Sequence, residues 1–274
     1  MLERCLESLV GQSFRDFEVL VCDDGSTDNT AEVIAKFLDK LDLKYFKLQN
    51  WGGPARPRNI GINNSSGEWV CFLDSDDFWV CDKLKVINGY LSCDYDFFYH
   101  QMYCVKDQFS SSNTILPSRK LKSNGFKDLL INGNVICNSS VVVRRSIILE
   151  IGGINESKEM VGCEDYNAWL KVLLITPKVK FIPEILGYYY MHVDGISRKD
   201  MSDKHMFAIN EFLEYCTPKE KLALDAHILY MRSSFKFHQL SRDELIKNYI
   251  FCIKNGMSDI RFKSFYLLLK SFVK

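Results

Sequence analysis

Apolar residues recur three and four apart at Leu2, Leu6, Leu9 and Val10, which predicts a helix over residues 2–12. The pattern then changes to a short apolar run, Phe17-Glu18-Val19-Leu20-Val21-Cys22, that ends in Asp23-Asp24-Gly25-Ser26. Such a run, stopped by a polar turn, reads as a buried parallel strand feeding a loop. Helical spacing returns over 29–40, with Thr27 or Asp28 as its cap, and Lys44 to Leu48 forms a second strand. Gly52-Gly53-Pro54 and Pro57 mark a loop from which another helix starts. Trp69-Val70-Cys71-Phe72-Leu73 is a third strand, and it stops abruptly at Asp74-Ser75-Asp76-Asp77. Strands alternating with helices predict the α/β class, an open and mostly parallel sheet flanked by helices.

Further along, Tyr95 to Val105 reads as an aromatic-rich strand, and residues 106–124 as a polar, Ser-rich mobile loop. Ser140 to Val143 and Val179 to Met191 are extended, and Glu164 to Leu174 has helical spacing. From about 203 the pattern becomes helix after helix, with Ser241-Arg242-Asp243-Glu244 as a capping box and Gly256 as a stop. The expected division is a catalytic α/β domain over 1–200 and a helical region over 201–274.

Composition narrows the choices. With 47% hydrophobic and 26% charged residues, the chain is an ordinary globular one. A formal net charge of zero gives no support for nucleic-acid binding driven by bulk charge. The ten cysteines stand singly with no C-x-x-C pair. They supply neither metal-ligand spacing nor a disulfide framework, and point to reduced thiols in the cytoplasm. Met1 leads directly into the helical pattern, so no signal peptide is expected, and no apolar run reaches the length of a membrane span.

The candidate chemistry lies in two acidic clusters, Asp23-Asp24 and Asp74-Ser75-Asp76-Asp77, each following a strand. Ligands of parallel α/β sheets bind at the carboxyl ends of strands, so both clusters should face one crevice. Crowded carboxylates repel one another unless a cation joins them. Hard oxygen ligands suit Mg²⁺ or Mn²⁺, which keep waters and bind substrate phosphates. The competing reading is that these residues are only caps and turns.

The segment from Cys5-Leu6-Glu7-Ser8-Leu9 and Gln12 through Phe17 to Asp23-Asp24-Gly25-Ser26-Thr27-Asp28-Asn29-Thr30 resembles the opening of family 2 glycosyltransferases. Gly52-Gly53-Pro54-Ala55 leading to Arg58-Asn59-Ile60-Gly61 is similar to the same family. So are Gly67-Glu68-Trp69-Val70-Cys71-Phe72-Leu73-Asp74-Ser75-Asp76-Asp77 and Glu164-Asp165 with Trp169-Leu170. The resemblance covers roughly residues 1–200. It implies a GT-A fold and a nucleotide-sugar donor, most often a UDP-sugar. Asp23 or Asp24 would hydrogen-bond the base, and Arg58 would lie beside base and ribose. Asp74 would reach the ribose or the metal, and Asp76 would bind the metal that bridges the diphosphate. Asp165 would be the general base, with Glu164 beside it. His192, ahead of Gly195-Ile196-Ser197, would be a late metal or phosphate contact, or else a structural histidine.

These roles agree with the chemistry. The departing nucleoside diphosphate gains negative charge, which a divalent ion offsets as a Lewis acid. An acceptor hydroxyl is a poor nucleophile, so a carboxylate must take its proton. One base and direct displacement predict inversion at the anomeric carbon. The expected acceptor is a cell-surface glycan precursor or a lipid-linked glycan, met in the cytoplasm or at the inner face of the membrane. Two rivals are a non-catalytic binding protein on the same fold and a nucleotidyltransferase; the latter usually carries a Gly-rich basic phosphate loop, which this sequence lacks.

Family members open with an apolar strand ahead of the helix that here begins at Met1. That strand is central, between those at 17–22 and 68–73. The resemblance therefore implies a domain without its first strand, and with it either a natural start upstream or a product of poor stability and weak transfer. At the other end, Phe262, Phe265, Tyr266, Leu269, Phe272 and Val273 form one stripe flanked by Arg261, Lys263, Lys270 and Lys274. Two readings are open: peripheral association with an anionic membrane surface, or a helix packed on its own domain.

Overall fold

The computed structural model describes residues 1–105, 114–192, 195 and 199–272. Helix α1 (Leu2–Val10) buries Cys5, Leu6 and Leu9, as its spacing requires. Strand β1 (Val19–Asp23), helix α2 (Thr30–Ala35) and strand β2 (Leu43–Lys47) follow, and β1 pairs parallel with β2, Val19 opposite Leu43. Helix α2 stops at Ala35, earlier than the pattern predicted, and residues 36–40 form turns. Next come α3 (Ala55–Asn64), β3 (Trp69–Cys71), β4 (Phe78–Trp79), α4 (Lys83–Leu91) and β5 (Phe97–Val105).

The remaining elements of this half are β6 (Thr114–Ile115), α5 (Gly125–Asn132), β7 (Val142–Arg144), α6 (Arg145–Glu150), α7 (Glu164–Ile175) and β8 (Val179–Tyr190). The larger sheet runs β3-β7-β5-β8-β4, with β6 on β5. The β5–β8 pair is parallel, while β3–β7, β5–β7, β4–β8 and β5–β6 are antiparallel. The α/β architecture stands, but the sheet is mixed. Strand direction is invisible to periodicity when both faces are covered, because the apolar run is then continuous either way. Strand β5 shows this, being buried at every position from Phe97 to Met102. The β5–β8 register slips beside His100 and Gln101, opposite Pro183, whose missing N–H cannot join a ladder.

Successive β5 side chains serve two layers, as a pleat requires. Phe97 and Tyr99 join Trp169, Leu170 and Val172 of α7 in the main core. Phe98 joins Ile87 of α4 with Val142 and Ile182 on the other face. Helices α8 (Ser202–Ile209), α9 (Pro218–Phe235), α10 (Arg242–Asn255) and α11 (Ser258–Ser271) complete the chain. Thr217 with Glu220 and Ser241 with Glu244 form full capping boxes. Ala208, Ile209, Phe212 and Leu224 belong to the same core as α7, so the helical region shares its packing with the sheet.

Part of the expected mobile loop lies outside the described residues, at 106–113. The rest is tied down: Tyr99 Oη donates to Arg119 O at 2.8 Å, and Leu121 N–H donates to Tyr99 Oη at 3.0 Å. Arg119 also grips the buried Asp128 through Nη1 at 2.6 Å. Among the described residues no ladder joins β1 to β3, although Val19, Val21, Cys71 and Leu73 share one apolar cluster with Leu6 and Leu9.

Candidate active site

The sequence-predicted site residues gather where β1, β3 and β8 end and α7 begins. At the end of β1, Asp23 turns back on its own loop, accepting from Ser26 N–H at 2.8 Å and from Tyr45 Oη at 2.8 Å. Burial opposes its ionisation, but these donors and the Lys47 charge hold its pKa below the usual carboxylate range. Asp24 points the other way. Its Oδ1 accepts Trp51 N–H at 2.7 Å, and its Oδ2 accepts Gly52 N–H at 2.8 Å and Gly53 N–H at 3.2 Å. Gly52 has φ +75°, a conformation in which a side chain would be strained, so the glycine lets three amides converge on one carboxylate.

That loop leads into α3, and Arg58 projects from its first turn. Nη2 donates to Asp74 Oδ1 at 2.7 Å and Nη1 to Glu164 Oε1 at 2.6 Å. The Arg58 side chain is 13% exposed, that of Glu164 4% and that of Asp74 35%, so the bridge from the end of β3 to the start of α7 is buried at its Glu164 end and partly open to water at Asp74. Burial works against the guanidinium charge, but Asp74, Glu164 and Asp165 raise its pKa above the ordinary value. Asp74 is further fixed by Asn138, whose Nδ2 donates to Oδ1 at 2.9 Å, and by its own N–H donating to Ser139 Oγ at 3.0 Å.

Asp165, the next residue of α7, has no such cation contact among the described residues. Its Oδ1 accepts the Tyr166 amide at 2.7 Å, within the helix's first turn. Burial and then the Glu164 charge push its pKa up to about 7, against the pull of Arg58 and the Tyr166 amide. The two neighbouring carboxylates therefore differ: Glu164 is held in an ion pair, and Asp165 is poised to titrate near neutrality.

Asp76 and His192 meet at the far side. His192 Nε2 is 3.0 Å from Asp76 Oδ2, and each side chain is about a third exposed. Burial and Asp74 raise the Asp76 pKa, and His192 lowers it. Asp77 is buried, and burial followed by the Asp74 charge pushes its pKa up to about 8 even though Tyr190 N–H donates to its Oδ1 at 2.8 Å. Among the described residues no three His, Cys, Asp or Glu side chains surround one point as a ready ligand set. A carboxylate and an imidazole this close do form the two-ligand donor set that Mg²⁺ or Mn²⁺ can use when substrate phosphates and water complete the shell. Of the Gly195-Ile196-Ser197 motif behind His192, Ile196 and Ser197 lie outside the described residues.

Three participants were not singled out by sequence reasoning. Arg4 of α1 donates from Nη2 to Asp76 O at 2.7 Å, with its guanidinium 4.3 Å from the Phe78 ring and 4.9 Å from the Tyr190 ring. Asn138 and Ser139 sit on a short 3₁₀ turn, Asn138–Ser140, and hold Asp74. The only signal for Arg4 was a cation directly before the buried Cys5 and Leu6 of an amphipathic helix. Asn138 and Ser139 carried none.

The profile of "Glycosyl transferase family 2" matches residues 1–152. The chain belongs to glycosyl transferase family 2. Poly(ribitol-phosphate) beta-N-acetylglucosaminyltransferase TarS of Staphylococcus aureus is 29% identical over 194 residues, which are 69% of this chain and 33% of TarS. UDP-Glc:alpha-D-GlcNAc-diphosphoundecaprenol beta-1,3-glucosyltransferase WfaP of Escherichia coli is 27% identical over 193 residues, 70% of this chain and 72% of WfaP. The chain thus spans about a third of the length of TarS. Among solved structures, S. aureus TarS 1–349 in complex with UDP-GlcNAc superposes with a TM-score of 0.68 at 20% identity, over 99% of this chain and 85% of that one. The mannosyltransferase PcManGT from Pyrobaculum calidifontis, in complex with GDP-Man and Mn²⁺, gives 0.61 at 16% identity, over 100% and 82%. These likenesses show the GT-A fold.

Proposed function

We propose that this chain is an inverting glycosyltransferase. It would move a hexosyl or N-acetylhexosaminyl group from a UDP-sugar to a hydroxyl of a glycan or lipid-linked acceptor, on the cytoplasmic side of the membrane. The observation that carries the reading is Asp165: a half-buried carboxylate, free of any ion pair among the described residues, with its pKa lifted to about 7 beside a Glu164 that is itself paired with Arg58. A general base works best when its pKa lies near the working pH. The family match and the relatives that use nucleotide sugars support the same reaction.

In this mechanism the acceptor oxygen attacks the anomeric carbon as its proton passes to Asp165. The bond between that carbon and the diphosphate oxygen breaks, and the nucleoside diphosphate leaves with the electron pair. Attack opposite the leaving group inverts the configuration. Arg58 and Asn138 hold Asp74 in place at the donor side, and Asp24 shapes the loop beneath the base. Asp76 and His192 would hold a divalent ion, which when bound supplies positive charge to the departing diphosphate.

The experiment is a screen of nucleotide sugars for transfer and hydrolysis, with NMR of the product anomer. Turnover of a UDP-sugar with inversion is expected. Retention would overturn the one-base mechanism, and a chain whose thermal stability no nucleoside diphosphate raises, with or without Mn²⁺, would overturn donor binding altogether.

A further inference from the structure

We infer that helix α11 is a docking surface for an anionic lipid bilayer, lying flat upon it. This goes beyond the transferase reading and is read out without turnover. The helix has a buried face and, opposite it, an exposed apolar one. One packs inward through Ile260, Ser264 and Ser271, all buried. The opposite one presents Phe262 at 76% exposure, Phe265 at 53%, Tyr266 at 55% and Leu269 at 51%, with Phe272 at 50% just past the helix end. Their spacing of three and four residues places all five on one side. The last two members of the expected stripe and flank, Val273 and Lys274, lie outside the described residues.

The sides between these faces are basic. At 100° per residue, Arg261 falls on one border of the aromatic face and Lys263 and Lys270 on the other. Arg242 of α10 adds a cation 5.3 Å from the Phe272 ring, and Lys270 Nζ lies 4.7 Å over Tyr266. Asp259, the one acidic residue of the helix, is bonded to Lys263 at 2.7 Å. Packing inward therefore explains one face only. A second copy of the chain seated on the aromatic face about a two-fold axis would set basic borders against basic borders. A bilayer with anionic headgroups complements those borders, and it takes the aromatic rings at the depth where headgroups meet acyl chains. With 14 residues the helix is about 21 Å long, and no helix among the described residues is long and apolar enough to cross a membrane, so it lies along the surface.

The test is co-sedimentation of the whole chain with vesicles of phosphatidylcholine, with and without phosphatidylglycerol. A triple variant, Phe262→Ser with Phe265→Ser and Leu269→Ser, changes only side chains more than half exposed. A second variant, Arg261→Gln with Lys270→Gln, removes border charge. Binding to phosphatidylglycerol vesicles that exceeds binding to neutral ones, and that weakens as salt is raised to about 0.5 M, is expected. The triple variant should bind roughly tenfold or more weakly at an unchanged melting temperature, and the charge variant should lose most of the salt sensitivity. Equal binding to both vesicle types, or equal binding of parent and triple variant, would overturn the inference. So would a parent dimer, seen by sedimentation equilibrium, that the triple variant turns into a monomer.

Discussion

His192 Nε2 lies 3.0 Å from Asp76 Oδ2, and the pairing of β8 with β4 brings them together. Phe78 faces Tyr188 across that ladder, the Tyr190 amide donates to Asp77, and Arg4 fixes the Asp76 carbonyl from α1. Elements from the start, middle and end of the α/β half thus converge on the Asp76-Asp77 turn.

The first prediction tests that pair. Asp76→Asn removes one anionic ligand and should abolish transfer, together with the Mn²⁺-dependent part of UDP affinity. His192→Gln should raise the Mn²⁺ concentration needed for half-maximal rate and leave a measurable kcat. Thermal shifts with UDP, titrated with Mn²⁺ and with chelator, check both. Full activity of Asp76→Asn in excess chelator is the contrary result.

The second concerns Asp165. Its raised pKa, to about 7, means that the basic form appears only as pH rises through neutrality, so kcat should climb over that range and then level. Asp165→Asn keeps the shape but accepts no proton, and transfer should fall roughly 10²-fold or more with donor affinity retained. A loss confined to donor KM would make Asp165 a binding residue.

The third concerns the Arg58 bridge. Arg58→Met leaves Glu164 and Asp74 facing each other without a cation. Breaking one partner of a buried pair costs about 3–5 kcal/mol, and the partial exposure of Asp74 places the expected loss at the lower end, about 3 kcal/mol. Urea unfolding measures it. Because the Arg58 charge also pulls the Asp165 pKa down, its removal should move the pH–rate profile up.

The sequence carried the element pattern and both acidic clusters, because alternating apolar runs and the motif residues are local features. It did not carry the sheet's pairing directions, since β5 and β7 are buried on both faces and read alike in either direction. Nor did it carry partners distant in sequence. Nothing local marks Asn138 and Ser139 as the residues that hold Asp74, or Arg4 as the one that holds the Asp76 loop. It also left Asp23 and Asp24 equivalent, and only the fold shows that one turns to Tyr45 and the other to the loop at 51–53.

A fourth prediction is acid sensitivity away from the site. Burial lowers the pKa of His100 and of His205 to about 3, from the ordinary 6.5. Between those values the unfolded chain binds a proton at each histidine and the folded chain does not, so stability should fall as pH drops from 6.5 toward 3. His205→Gln should flatten the dependence of urea midpoint on pH in that window. An unchanged slope would mean that His205 is protonated in the folded state.

The last prediction separates the two aspartates after β1. Both oxygens of Asp24 are engaged by Trp51, Gly52 and Gly53 amides, so its expected contribution to donor binding runs through the shape of that loop. Asp24→Ala leaves three amides to water in a half-exposed loop, a loss of about 1–2 kcal/mol that should appear as a roughly tenfold rise in donor KM with kcat little changed. Asp24→Asn keeps one acceptor oxygen and should restore part of the affinity. Tyr45→Phe removes one donor from Asp23 and leaves its bond to Ser26, so it should affect donor KM less than Asp24→Ala. Donor titrations of the three variants decide the matter. If Tyr45→Phe weakens the donor more than Asp24→Ala does, the base rests on Asp23 and the loop at 51–53 is only a wall of the crevice.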